Sequence, residues 1–211
     1  MTAPARVSFK RLLPAIGLVP ASLGAQGHVR DSVIYDLATP PLSRLEVHAS
    51  KSGLLGFAGH EHDVAARAFS GRIVMYSDQR TASHVSVTIP TDSLAVLTPP
   101  DTEEIRKVTQ AMREEVLDVK DYPEITLASR TLAWSGDTVR MNAALTIKGR
   151  TREIPLLVRV VVKDDTLRAT TTFSVKQSDF GIRPYRGGPG GTVRVADRVT
   201  FTIGAVALRH P

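Results

Sequence analysis

The chain has no cysteine in its 211 residues. Disulfides, thiol nucleophiles and thiolate metal sites are therefore excluded. A chain of this length can bury a sizeable core without cross-links. It has no Gly-x-Ser-x-Gly elbow, and its acidic residues are scattered over turns, helix and outward strand positions. Neither a Ser–His–Asp site nor a paired-carboxylate site is supported, so an enzyme is not expected. Lys and Arg never run together interleaved with aromatics, and a nucleic-acid partner is not expected. The formal charge is +6, but Arg6, Lys10 and Arg11 carry half of it in the first 25 residues. What is left is an ordinary solubility charge. Beyond residue 25 no apolar run approaches the about 20 residues of a membrane span, so stable membrane insertion is not expected. There is no internal repeat.

Residues 1–25 read as a secretory signal peptide: a basic start, an apolar stretch from Leu12, and a small-residue cleavage site at Leu23-Gly24-Ala25. Cleavage near Ala25 implies a periplasmic or secreted protein. Residues 26–42 are polar, end in Pro40-Pro41, and read as an extended, loosely held lead-in. Residues 43–211 then form one domain.

The domain is organised around residues 139–175, which carry two hairpin signals in succession. Gly149-Arg150 suits a type II′ turn, with Gly at the position of positive φ. That loop sets Leu145 against Ile154, Ala143 against Leu156 and Val139 against Val160. Asp164-Asp165 is a weaker turn signal and sets Val162 against Leu167, Val160 against Ala169, Leu156 against Phe173 and Ile154 against Val175. Both registers gather the apolar side chains on one face and leave Arg140, Asn142, Thr146, Glu153, Arg159, Arg168 and Thr170 on the other. This is an antiparallel meander, wet on one side only.

Further alternation marks strands at 43–50, 64–76 (with Gly71 inside), 83–90 continuing at 92–94, 125–133 and 192–208, the last a pair or one long bent strand. A three-residue loop at Ser135-Gly136-Asp137 would put Ile125 and Leu127 on the face of Leu145. A two-residue loop would put Leu132 and Trp134 there. One helix is expected near 101–117, with Ile105, Val108, Met112 and Val116 on its apolar face. The fold class is all-β: about eight strands in an antiparallel barrel, closed so that no edge is left, with one helix. Its interior either fills with side chains or holds a ligand. The small residues Ala128, Ala143, Ala169 and Ala205 lean towards a cavity.

Two polar features stand apart. His60 and His62 share a strand face, with Asp63 adjacent and His84 in reach, which is a weak pattern for zinc or copper. It supports an alternative reading as a periplasmic metal-binding or redox-associated module; the bland reading is a hydrogen-bonded polar corner. Residues 187–191, with Arg183, Arg186 and Arg194 nearby, make either an anion nest or a solvated hairpin loop.

Six segments in order then resemble the YceI-like, lipocalin-like family: GHEHDV at 59–64, FSGRIVM at 69–75, VTIPTDSL at 87–94, LDVKDYPEITLASR at 117–130, LTIKGRTREIPL at 145–156 and SDFGI at 178–182. Departures are Gln177, where the family often has Arg, Leu127 in place of Phe, and the glycine run at 187–191. The resemblance implies an extended barrel with an apolar tunnel that binds a polyisoprenoid lipid or isoprenoid quinone, with no required cofactor. On that reading Phe57, Ile73, Met75, Val87, Ile89, Ile125, Leu127, Leu145, Ile147, Leu156, Phe173 and Phe201 line the interior. Phe180, Ile105 and Met112 close an end, His60 and His62 meet a headgroup, and Ala143 marks where the chain would lie. A homodimer is compatible with this reading.

Overall fold

The computed structural model describes residues 31–52, 61–97, 102–187 and 193–210. Their order is β1 (Ser32–Leu37), β2 (Arg44–Lys51), β3 (His62–Ala66), β4 (Ser70–Tyr76), β5 (His84–Pro90), β6 (Leu94–Val96), α1 (Thr102–Ala111), β7 (Glu124–Ser135), β8 (Thr138–Ile147), β9 (Arg150–Lys163), β10 (Thr166–Lys176), β11 (Arg186–Gly187) and β12 (Val193–Arg209). Eight of the strands form a closed antiparallel ring, β1-β4-β5-β7-β8-β9-β10-β12, because β1 pairs with both β4 and β12. Closure leaves the ring without an open edge. The 17-residue β12 serves two walls. It pairs with β1 through Ala207, Leu208 and Arg209, and with β2 between Val195 and Gly204, from where β3 and β6 extend the wall.

The described part of the lead-in, residues 31–42, is thus not loosely held. Its residues 32–37 are the strand that closes the ring, and Tyr35 is buried there. The closure carries a polar clasp. Asp36 accepts from Arg72 Nε at 3.0 Å and pairs with His210 Nδ1 at 2.6 Å, while the His210 amide donates to the Ile34 carbonyl at 2.8 Å. The Arg72 hydrogen bond first, and that of His210 second, hold the Asp36 carboxyl below its ordinary value.

The stretch 64–76 is two strands, not one. At Arg67–Phe69 the chain leaves its neighbours β2 and β6 and joins β1 and β5, so it changes walls. The break is satisfied by Ser93: its carbonyl accepts from the Arg67 amide at 3.0 Å and its hydroxyl donates to the Ala68 carbonyl at 2.9 Å. Gly71 permits a close approach, since a Cβ there would lie 2.9 Å from the Ser86 carbonyl and 3.1 Å from Leu37.

The β8–β9 register differs from the type II′ expectation by two residues. Lys148 and Gly149 form the loop, with φ of 50° and 68°. Positive φ at both central positions is the type I′ requirement, whose twist matches that of the strands. Met141 therefore faces Leu156, Ala143 faces Ile154 and Val139 faces Val158. A shift of two preserves parity, so the apolar face is unchanged: Val139, Met141, Ala143, Leu145 and Ile147 are all buried. The β9–β10 register is as expected from Val162–Leu167 through Val160–Ala169 to Arg159–Thr170, where the ladder ends. The pairs Leu156–Phe173 and Ile154–Val175 lie beyond it. From there β10 follows β12, and Phe173 stacks on its cross-strand partner Phe201 at 4.8 Å.

In β7–β8 both loop expectations are met in one strand. The loop has two residues, Gly136 and Asp137, and Leu132 and Trp134 face Met141 and Val139. A bulge between Ser129 and Thr131 then resets the phase, so Leu127 faces Leu145. Ala128 faces Ala144 and so lies on the outward side, not inside as its size suggested. The helix α1 runs into a wider π turn, Met112–Val116, closed by the Leu117 amide on the Met112 carbonyl at 2.9 Å.

Two measurements test this account. Gly71→Ala should lower stability by about 1–3 kcal/mol through overpacking. Gly204→Ala, whose new methyl meets nothing within 4 Å, should be neutral or stabilising in the same chemical-denaturation series. Because the folded Asp36 carboxyl is depressed, its stabilisation is complete above its ordinary 3.8 and lost as pH falls through the lowered folded value. Asp36→Asn should therefore melt earlier than wild type at neutral pH, with the gap closing in acid.

Candidate functional site

The inward faces of these strands do not fill the barrel. A wide chamber of about 520 Å³ lies at the end formed by β2, β3, β6 and α1. A narrow chamber of about 170 Å³ lies among β4, β5, β7 and β8. Leu45, Ile89, Ile125, Phe201 and Ile203 line both, and the two chambers adjoin at this shared ring, the neck of the lumen.

The expected lining residues divide cleanly. His62, Met112, Ile147 and Phe180 line the wide chamber. Ile73, Met75, Val87, Leu127, Leu145, Leu156 and Phe173 line the narrow one, and Ile89, Ile125 and Phe201 sit in the neck. Ala169 and Ala205 also line the narrow chamber. Phe57 and His60 lie outside the described residues, as do positions 188–192 of the glycine run. Two expectations need correction. Ala143 is 0% exposed but opens on neither chamber; its methyl is packed into the core cluster that also holds Ile154. Ile105 lines neither chamber, because α1 turns a neighbouring face, Glu104, Val108 and Ala111, towards the space.

Among the described residues, the polar groups that open on the lumen gather at the wide end. Gln177 is nearly buried there and donates from Nε2 to the Ala196 carbonyl at 2.8 Å. The short turn that carries Gln177 and Phe180 is pinned by Asp197, which accepts from the Ser178 amide at 2.8 Å and the Ser178 hydroxyl at 2.7 Å. The Ser178 side chain, then its amide, holds the Asp197 carboxyl below its ordinary range. Lys107, Tyr185 and Arg194 complete this rim. Tyr185 and the wall residues Leu45, Val47 and Ala49 were missed as site residues. The alternation of β2 was legible, but its place beside β12 was not.

Among the described residues, which leave out His60, the His pattern does not assemble a metal centre. His62 opens on the wide chamber, whereas Asp63 pairs with His48 Nδ1 at 2.7 Å, as neighbours on a strand must point to opposite faces. His84 lies against the narrow chamber. Among the described residues no group of three His, Cys, Asp or Glu is placed to hold a metal ion. No helix among them is long and apolar enough to cross a membrane.

Four of the six motifs meet through contacts of their own. Tyr122 packs on the Gly149 turn, at 2.7 Å from where a Cβ would be. Lys148 Nζ donates to the Val116 carbonyl at 3.0 Å, tying the hairpin to the π turn. The Thr91 hydroxyl donates to the Tyr122 carbonyl at 2.9 Å, and the Arg150 guanidinium covers Gly181. Segments 87–94, 117–130, 145–156 and 178–182 thus meet at one corner.

An eight-stranded antiparallel ring around a two-chambered apolar lumen defines a lipocalin-like barrel. The chain belongs to the YceI-like domain family, whose sequence model matches residues 43–207. No curated protein sequence matches it. Among solved structures it is similar to Burkholderia cenocepacia BcnA, with 20% identity, a TM-score of 0.60, and 78% of this chain and 95% of that chain covered. It is also similar to a polyisoprenoid binding domain from Saccharophagus degradans, described as implicated in plant cell wall breakdown (14% identity, TM-score 0.60, 83% and 98% covered). The Campylobacter jejuni YCEI protein is a third (17%, 0.53, 70% and 84%).

Where the space lies can be checked by adding volume. Ala143→Leu should cost about 1–3 kcal/mol, because its site is already full. Ala169→Val, facing the narrow chamber, should leave the melting temperature unchanged or raise it.

Proposed function

We propose that this chain is an exported binding protein that encloses a long apolar ligand, a polyisoprenoid lipid or an isoprenoid quinone, along its two chambers. The observation that carries the reading is the lumen itself: a wide chamber with a polar rim that adjoins a narrow one at an aliphatic and aromatic neck. The wide chamber alone is within the usual size of small-molecule sites. Burial supplies the affinity, at about 0.8 kcal/mol for each enclosed CH₂. The tail lies in the neck and narrow chamber, and the headgroup meets His62, Gln177 and Tyr185 at the wide end. The Saccharophagus degradans domain, described as polyisoprenoid binding, supports the ligand class. The signal-like residues 1–25 support a periplasmic or secreted location. A homodimer is compatible with this reading. Neither catalysis nor a cofactor enters this reading.

Solvent extraction of the purified protein should release one polyisoprenoid species in near-stoichiometric amount by mass spectrometry. Ile203→Trp, which fills the neck, should release far less. Extracts empty of lipid after expression in an isoprenoid-producing host would overturn the reading.

A further inference from the structure

We propose that Trp134 is the end stop of the lumen and sets the longest isoprenoid tail this chain accepts; the proposal rests on the binding reading above. The bulge in β7 is what turns Trp134 inward, opposite Val139, which is 2% exposed. The indole N–H donates to the Arg80 carbonyl at 3.0 Å, and the Arg80 guanidinium stands 5.3 Å from the ring centroid. The ring is therefore held at its edge and over its face by one short turn, Arg80–Ala82. The indole is half-buried, and swinging it away gives up this hydrogen bond together with the cation–π contact. The other walls of the narrow chamber yield more readily, being mainly aliphatic side chains without such a tether. A second core cluster, Tyr35, Leu167 and Ala207, packs against Ile73, Met75, Val160 and Ala169, which line the same chamber. A chain entering through the neck runs along the narrow chamber and meets Trp134 as the least movable group in its path.

Trp134 is the chain's only tryptophan, so its emission reports contact directly. The experiment titrates the full-length mature protein with all-trans prenyl alcohols, from geraniol upward by one isoprene unit at a time. These probes carry no chromophore that would quench the indole. Affinity should rise at least about tenfold per added unit until one threshold length, where the Trp134 emission shifts and the rise stops. Trp134→Leu should move that limit to longer alcohols by one unit or more, and Ala169→Phe, which fills the same chamber, should move it to shorter ones. Emission that responds equally to the shortest alcohol, affinity that keeps rising past the shift, or an unchanged limit in folded Trp134→Leu would overturn the proposal while leaving the binding reading intact. Binding of no alcohol at any length would overturn both.

Discussion

Side chains on a strand alternate with a period of two, and the whole lumen depends on where that alternation is kept and where it is broken. Seven of the eight ring strands reach the interior with one phase or with a bulge outside it. β7 cannot. Its first half must present Ile125 and Leu127, and its second half Leu132 and Trp134, although these pairs are out of phase by one. One extra residue between Ser129 and Thr131 reconciles them. Without it, half of β7 would turn polar residues inward, or the β7–β8 loop would need another residue and a less tight turn. The same insertion carries the wall of the neck and places the indole at the far end.

The energetics of such a barrel are unusual in one respect. An ordinary core gains its last few kcal/mol from dense packing. Here the interior stays partly open, and lining atoms facing a void forgo dispersion contacts. Stability has to come from the shell. The ring leaves no free edge among its eight strands, its closure is clasped by Asp36, Arg72 and His210, and Ser43 exchanges hydrogen bonds with the Val206 backbone at 3.1 Å and 2.9 Å. The corner where Tyr122, Gly149, Thr91 and Lys148 meet holds the helix across the wide end. A shell that is rigid in this way can keep space open for something other than its own side chains.

The family motifs take on a particular meaning in this light. Some of their residues build the corner and the turns, and others, such as Ile73, Ile125, Leu145 and Phe180, line the lumen. Lys148-Gly149 satisfies a type I′ turn, Tyr122 packs on that turn, and Gly181 receives Arg150. Lumen-lining residues outside the motifs, such as Leu45, Val47 and Phe201, are apolar residues of ordinary strand alternation, and many substitutions would preserve their place. A sequence can therefore announce this fold clearly while saying little about what the lumen holds.

Much of the architecture was legible from residues alone. The meander faces, the helix and the closed barrel follow from local periodicity, which physical chemistry imposes within a few neighbouring residues. Parity even survived a turn that was placed two residues away, because a shift of two leaves every side chain on its own face. Distance along the chain hid the rest. That residues 32–37 close the ring depends on partners more than a hundred residues away in β12. That Ala143 is packed while Ala169 faces space depends on which large side chains stand opposite, and that Ile105 turns away depends on the seating of α1. The sequence by itself determined which faces are apolar, through alternation. Only the tertiary structure decided which of those faces touch each other and which enclose a cavity, because contact between distant strands is set by the closure and stagger of the whole ring.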